Sequence, residues 1–164
     1  MHFYRKLAGK GIFSLMELTI VVVLLGVVSA IVAPRMSRGG DSPRVGEQVL
    51  EGQLRALRGA IDAYAEDHGG YWPHGDASRI TRQLTEFTDD AGQLSVIRTP
   101  AFRFGPYLRE IPPLPIGMNR GVATVKLPTD GRDSGWVYDP ATGQIHASAR
   151  PNERDTSGRA YLSY

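Results

Sequence analysis

Between Phe13 and Ala33 the chain runs for 21 residues with one charged side chain, Glu17, and the run closes on Pro34. No other feature restricts the fold as much. At ~1.5 Å per residue, a helix of that length reaches about 31 Å, which matches the ~30 Å hydrocarbon core of a bilayer. The chain has 164 residues, so the portion beyond the run suffices for one domain with a modest core and not for two. The predicted architecture is one membrane helix carrying one small domain. Glu17 is out of place in that helix. A carboxylate there costs roughly 2.5–3.5 kcal/mol or more, and such groups are normally paired and functional.

The residues around Glu17 sharpen the reading. Lys10-Gly11, then Phe13-Ser14-Leu15-Met16-Glu17-Leu18, a β-branched run and Pro34 together resemble the N-terminal signature of type IV pilins and type II secretion pseudopilins. The resemblance implies that a prepilin peptidase cuts after a glycine and that the new N-terminus is methylated. It also implies that the glutamate, fifth in the mature chain, accepts the terminal amine of a neighbouring subunit as subunits leave the bilayer for a filament. The physics agrees, because a buried charge is tolerated when an opposite charge is delivered to it. One residue departs from the pattern: Ile12 stands between Gly11 and Phe13. Counted from Phe13, Glu17 is fifth and Pro34 twenty-second, both as the family has them. The helix keeps the family register, and the extra residue lies at the processing site. The bond cut is then Gly11–Ile12 or Ile12–Phe13. The resemblance implies a small residue before the scissile bond, which favours Gly11 and leaves Ile12 as the terminus.

Composition narrows the class. There are no cysteines, so neither disulfides nor thiolate chemistry are available. Many pilins have a disulfide near the C-terminus, and its absence leans towards a pseudopilin, most like a major one. The formal charge of +2 misleads, because the leader carries Arg5, Lys6 and Lys10. Without it the chain has 16 Lys and Arg against 17 Asp and Glu, which leaves no electrostatic footprint for nucleic acid. Arg35, Arg38 and Arg44 after the run balance the leader cations, so the positive-inside count is close to a tie. The N-terminus is assigned to the cytoplasm by resemblance. A cleaved secretory signal with Val28-Ser29-Ala30 as its small-residue site is the competing reading, against which Glu17 and the length of the run both count.

Beyond the run, Ser37 to Pro43 reads as a break, with Ser42 as N-cap and Pro43 at the first helical position. A helix is predicted from Pro43 to His68, stopped by Gly69-Gly70. Leu50, Leu54, Leu57, Ile61 and Tyr64 form one apolar stripe along it. Gly52, Ala56, Gly59 and Ala63 fall on roughly the opposite face. Each interior glycine costs about 1 kcal/mol against alanine. Thr19, Gly26, Ala30 and Ala33 make a comparable small-residue stripe upstream, of the kind that lets helices approach closely. The expectation is that one face grips the chain's own domain and the other packs on neighbouring helices. Glu17, Gly26, Pro34, Gly52 and Gly59 are the expected assembly residues.

Tyr71-Trp72-Pro73 reads as an aromatic plug against a sheet. A short helix is predicted over 77–87 and a turn over 88–92. The segment 99–115 is irregular through its prolines, and its Gly105-Pro106-Tyr107-Leu108 and Ile111–Pro115 runs resemble a connecting loop of some pseudopilin-like proteins. A strand is predicted over 122–127, then a hairpin of Trp136–Tyr138 and Gln144–Ala147 around a turn at 139–143. The last dozen residues read as polar and frayed.

Nothing gathers into a catalytic constellation. No G-x-S-x-G, P-loop or H-E-x-x-H motif occurs, so the chain reads as no enzyme. His68, His74 and Asp76 match no metal-ligand spacing, and His68 suits a helix C-terminus. Major pseudopilins resemble one another in binding calcium near the C-terminus. Asp130, Asp133 and Asp139 are the oxygen ligands this chain would offer, but they lack a calcium-loop motif and read as a solvated acidic loop. No cofactor is expected otherwise.

The fold implied is α+β and pilin-like: a long N-terminal helix, its first half membrane-spanning, packed on a small antiparallel β-sheet. The parts are a leader (1–11), an assembly helix (12–34), a break (35–42), a periplasmic domain (43–150) and a polar tail (151–164). The implied function is a structural subunit of a type II secretion pseudopilus. It would sit in the bacterial inner membrane by a single pass, with its domain in the periplasm. Its partners would be copies of itself, other pseudopilins, the prepilin peptidase and the inner-membrane assembly platform. The alternatives are a type IV pilin serving adhesion, motility or DNA uptake, and a membrane-tethered or secreted binding or enzyme domain.

Overall fold

The computed structural model describes residues 43–131 and 133–164. The leader, the apolar run with Glu17 and Gly26, the Gly11–Phe13 processing region, Pro34 and Ser42 lie outside the described residues. Among the described residues no helix is long and apolar enough to cross a membrane.

Helix α1 (Pro43–Asp67, 25 residues) is the spine. It ends as its sequence demands. Gly69 turns left-handed at φ 66°, and the Gly70 N–H donates back to the Ala65 carbonyl at 2.7 Å. That six-to-one bond satisfies an otherwise orphaned carbonyl. Helix α2 (Ala77–Thr85) begins on Asp76, whose side chain accepts from the Arg79 N–H at 2.8 Å. It stops short of the predicted Phe87. Phe87 and Thr88 form strand β1, which pairs antiparallel with β2 (Leu94–Ser95). Thr88 also exchanges backbone bonds with Phe104 at 3.0 and 3.2 Å. A long-range partner on either side draws these residues out of the helix. The predicted turn after them forms, with the Asp89 carboxylate accepting from the Ala91 and Gln93 N–H groups at 3.0 and 2.8 Å.

The second sheet has the order β3 (Val125–Lys126), β4 (Trp136–Asp139), β5 (Gln144–Ala147). Its β4–β5 hairpin is antiparallel over four residue pairs, as predicted. β3, however, pairs parallel with β4, Val125 opposite Trp136 and Lys126 opposite Val137, so the sheet is mixed and not wholly antiparallel. Strand β3 is also shorter than the predicted 122–127. The Gly135 and Trp136 N–H groups both donate to the Thr124 carbonyl at 3.0 Å, which breaks the ladder there. Gly135 lies so close to the Val122 carbonyl that no Cβ fits.

The core lies between α1 and this sheet. Leu50, Leu54, Leu57, Ile61 and Tyr64 from α1 meet Ile80 and Leu84 from α2 and Trp136, Tyr138, Ile145 and Ala147 from the sheet. The proline-rich segment is irregular as predicted, yet Ile111, Leu114 and Ile116 from it and its flank are buried in the same core. The two large polar aromatics of the sheet are satisfied through loops: Trp136 Nε1 donates to the Pro112 carbonyl at 2.7 Å and the Tyr138 hydroxyl to the Pro73 carbonyl at 3.0 Å. Burial pushes the Tyr138 hydroxyl pKa well above its ordinary value.

Two further expectations need correction. Tyr71 is no plug; it is 74% exposed, and only Pro73 of the Tyr71-Trp72-Pro73 run is buried. Buried Tyr138 meets the run only at the Pro73 carbonyl, and Trp72 lies against the backbone of Gly143. The C-terminal residues are not frayed either. Arg154 bridges Ala160, Tyr161 is buried, and Glu47 of α1 accepts from the Thr156 N–H and hydroxyl, both at 2.8 Å. Four side-chain and backbone donors on the Asp155 carboxylate, from Ser157, Arg159 and Tyr164, close the tail on itself.

Candidate assembly surface

Helix α1 carries the described part of the candidate site, and its two faces differ in kind. On the inner face the stripe residues Leu50, Leu54, Leu57, Ile61 and Tyr64 are all buried. Gly46 belongs to this face. A Cβ there would meet Ile116 Cγ2 at 3.0 Å, so the glycine lets the 115–116 segment close on the helix. On the outer face Gly52, Ala56 and Gly59 are exposed and Ala63 is half-buried. Nothing lies within 4 Å of where a Cβ of Gly52 or Gly59 would stand. Neither glycine is therefore needed for packing among the described residues. Glu51 and Arg55 flank this face as an exposed i,i+4 pair at 3.5 Å, worth a few tenths of a kcal/mol at most.

The C-terminal end of α1 is held by aromatic and polar contacts. His68 stacks on Tyr64 with ring centroids 3.9 Å apart. Its Nδ1 faces the Tyr64 carbonyl at 2.7 Å and its Nε2 the Asp89 carbonyl at 2.9 Å. The ring sits at the helix end, as expected, and ties it to the β1–β2 turn. Tyr107, from the Gly105-Pro106-Tyr107-Leu108 run, donates its hydroxyl to Asp67 at 2.8 Å. Burial, then that bond to Asp67, holds the Tyr107 pKa well above the ordinary phenol range. Fully buried Gln83 braces the neighbouring loop, accepting from the His74 N–H at 2.9 Å and donating to the Gly92 carbonyl at 3.3 Å. Gln83 carried no sequence signal, because a buried amide in an amphipathic helix looks like any polar surface residue.

The other expected residues are dispersed. Gly11, Ile12, Phe13, Glu17, Gly26 and Pro34 lie outside the described residues. Asp130 closes its own turn by accepting from the Leu127 N–H at 3.2 Å. Asp139 does likewise from the Ala141 N–H and the Thr142 hydroxyl, both at 2.9 Å. Among the described residues no group of three or more His, Cys, Asp or Glu could hold a metal ion. Asp130, Asp133 and Asp139 are therefore not brought together as a ligand set.

Comparison with known proteins agrees with the N-terminal signature. No family model matches the chain, and no solved structure does. The chain is 27% identical over 132 residues to the type II secretion system core protein G of Xanthomonas campestris pv. campestris, covering 80% of this chain and 87% of that protein. It is 36% identical over 59 residues to the proteins of that name from Pseudomonas aeruginosa and Klebsiella pneumoniae, spanning 40% and 41% of their lengths. These relatives are named as components of a secretion system and not as enzymes. The comparisons thus agree with what Phe13–Pro34 implies, and the family they support for this chain is that of the type II secretion pseudopilins.

Proposed function

We propose that the chain is a structural subunit of a type II secretion pseudopilus. It is anchored in the inner membrane by the Phe13–Ala33 run, processed by a prepilin peptidase, and assembled with other pseudopilins into a periplasmic filament that serves protein export. The observation that carries this reading is the two-faced α1. Its leucine stripe is used up by the domain, while Gly52, Ala56 and Gly59 keep the opposite face clear for a helix of a neighbouring subunit. The similarity to core protein G over most of both chains supports it. In this reading Glu17 receives the N-terminal amine of the adjacent subunit, and Gly26 and Pro34 are further assembly residues.

The test is Glu17→Leu. The variant makes the run more apolar, so it inserts in the membrane as before but fails to enter filaments. Normal incorporation, measured by shearing and immunoblotting, overturns the pairing role. Lost export of secreted proteins in a deletion strain supports the pseudopilus, whereas lost surface fibres with export intact supports a type IV pilin instead. Processing takes place after Gly11 and leaves a methylated Ile12, since Gly11 is the small residue before the cut. The extra residue turns the amine by about 100° and lifts it ~1.5 Å, a shift a terminal turn without intrahelical N–H bonds absorbs. Deleting Ile12 speeds processing and leaves assembly intact. A Phe13 terminus found by mass spectrometry refutes this choice of bond.

A further inference from the structure

A cavity of about 440 Å³ opens beside α1, between Arg58 and Asp62 of the helix, Trp72, and the outer side of the β4–β5 hairpin at Gln144 and His146. Its size falls within the range of about 300–1,000 Å³ typical of small-molecule sites. It shares no residue with the proposed assembly stripe. Its lining is unusual for a surface hollow. Trp72 is 38% exposed and lies against Gly143, the one residue type whose missing Cβ leaves room for the ring, with the indole atoms 2.8–2.9 Å from where that carbon would stand. The side chains of Asp62 and Gln144 line the hollow beside the indole, and both are exposed. Arg58 is the fixed wall, its guanidinium donating to the Ile145 carbonyl at 3.3 Å and to the Tyr164 carbonyl.

Two exposed polar side chains beside a half-exposed indole, with Arg58 held by backbone carbonyls, select a ligand class by elimination. A wholly apolar ligand would strip water from Asp62 and Gln144 and return no hydrogen bonds, at about 1–3 kcal/mol for each group left unsatisfied. An anion meets the Asp62 carboxylate and a cation meets Arg58. A neutral ring with a C–H face and a rim of hydroxyls satisfies every group. Its face lies on the indole, its hydroxyls donate to the Asp62 carboxylate, and the Gln144 side-chain amide donates back. We propose that this cavity binds a neutral pyranose, either as a free sugar or as one unit of a glycan chain.

The test is two-dimensional NMR of the full-length chain in a detergent without sugar, titrated with N-acetylglucosamine trisaccharide, maltotriose or glucose. The expected result is saturable shifts of the Trp72 indole N–H and the Gly143 and Gln144 amides, with a Kd of about 1 mM. The Trp136 indole, which is fully buried in the core, should not move and so reports that the fold is intact. A response to the trisaccharides but not to glucose assigns the site to a glycan chain, and an equal response to all three assigns it to free sugar. Trp72→Ala, followed on the Gly143 amide, raises Kd about ten-fold, the value of one stacking platform. Asp62→Asn raises it about three-fold or more, through loss of a charge-assisted bond, while Tyr71→Ala next door changes nothing. Absence of shifts with all three saccharides, or binding unchanged in both Trp72→Ala and Asp62→Asn, overturns the proposal.

Discussion

The two faces of α1 are built from the same 25 residues and serve opposite ends. The inner face places large side chains at helical spacing, and every one is consumed by the domain's own sheet, by α2 or by the proline-rich segment. The outer face places residues with almost no side chain, at a cost of about 1 kcal/mol for each glycine, and no described residue makes use of the space. Large side chains raise the stability of one chain. Absent side chains lower it slightly and leave the helix backbone approachable. A helix that gave up stability for access on one side only is expected of a subunit whose final packing is with other subunits. Gly46 shows the contrast within a single residue type: on the inner face a Cβ would crowd Ile116, whereas at Gly52 and Gly59 on the outer face it would meet nothing.

Leu57→Ala tests this contrast most severely. It leaves a cavity in the core and lowers unfolding stability by about 2–5 kcal/mol, read by denaturation of the solubilised chain with Trp136 fluorescence as the report. A loss under about 1 kcal/mol would mean the inner face is not the core. Gly46→Leu comes next. Overpacking against Ile116 lowers stability by about 1–3 kcal/mol, and a neutral result would show that the 115–116 segment yields easily.

Gly59→Leu goes the other way, raising domain stability by up to about 1 kcal/mol while abolishing incorporation into filaments. If stability falls instead, the outer face packs against the chain itself and the two-face reading fails. The tail that Glu47 holds to α1 gives a smaller, pH-dependent effect. Bonds from Tyr164 first, then Ser157, hold the Asp155 carboxyl well below its ordinary 3.8. Its contribution is therefore present in full above that value and is lost as pH falls through the folded value. Protection of the 154–164 amides, relative to the intrinsic exchange rate at each pH, should fall below about pH 4, and Asp155→Asn should remove that dependence. The same bond pushes Tyr164 up to about 12, so its phenol should titrate later than that of a free tyrosine. Smallest of all is Glu51→Ala, which should change stability by less than about 0.5 kcal/mol, as an exposed pair implies.

Helix α1, its stop at Gly69-Gly70, its buried stripe and the β4–β5 hairpin were all legible, because each depends on spacing and turn chemistry within a few residues. The small-residue face was legible for the same reason. The β1–β2 pair was not: Phe87 continues the α2 pattern, and only the distant partners Ser95 and Phe104 draw the chain into a strand. The parallel pairing of β3 was hidden in the same way, since it depends on how 127–135 folds back. The tail looked frayed because its composition is polar, and its order comes from Glu47, more than a hundred residues away.

The properties readable from the residues alone are the local ones. They are an apolar run long enough for a bilayer with Glu17 inside it, a helix with one large and one small face, and the absence of thiol chemistry and of any catalytic motif. Which of those faces is occupied, and what distant segments create together, emerged only in the folded chain. Gly46 and Gly59 are the same residue on the same helix, and only the position of Ile116 tells them apart. Trp72 read as a plug and instead lines an open cavity with Asp62, Gln144 and His146, four residues from three segments. The division is one of range. Propensity and periodicity act over a turn or two, whereas burial, close approach and a shared cavity exist only once segments far apart in the chain have been brought into contact.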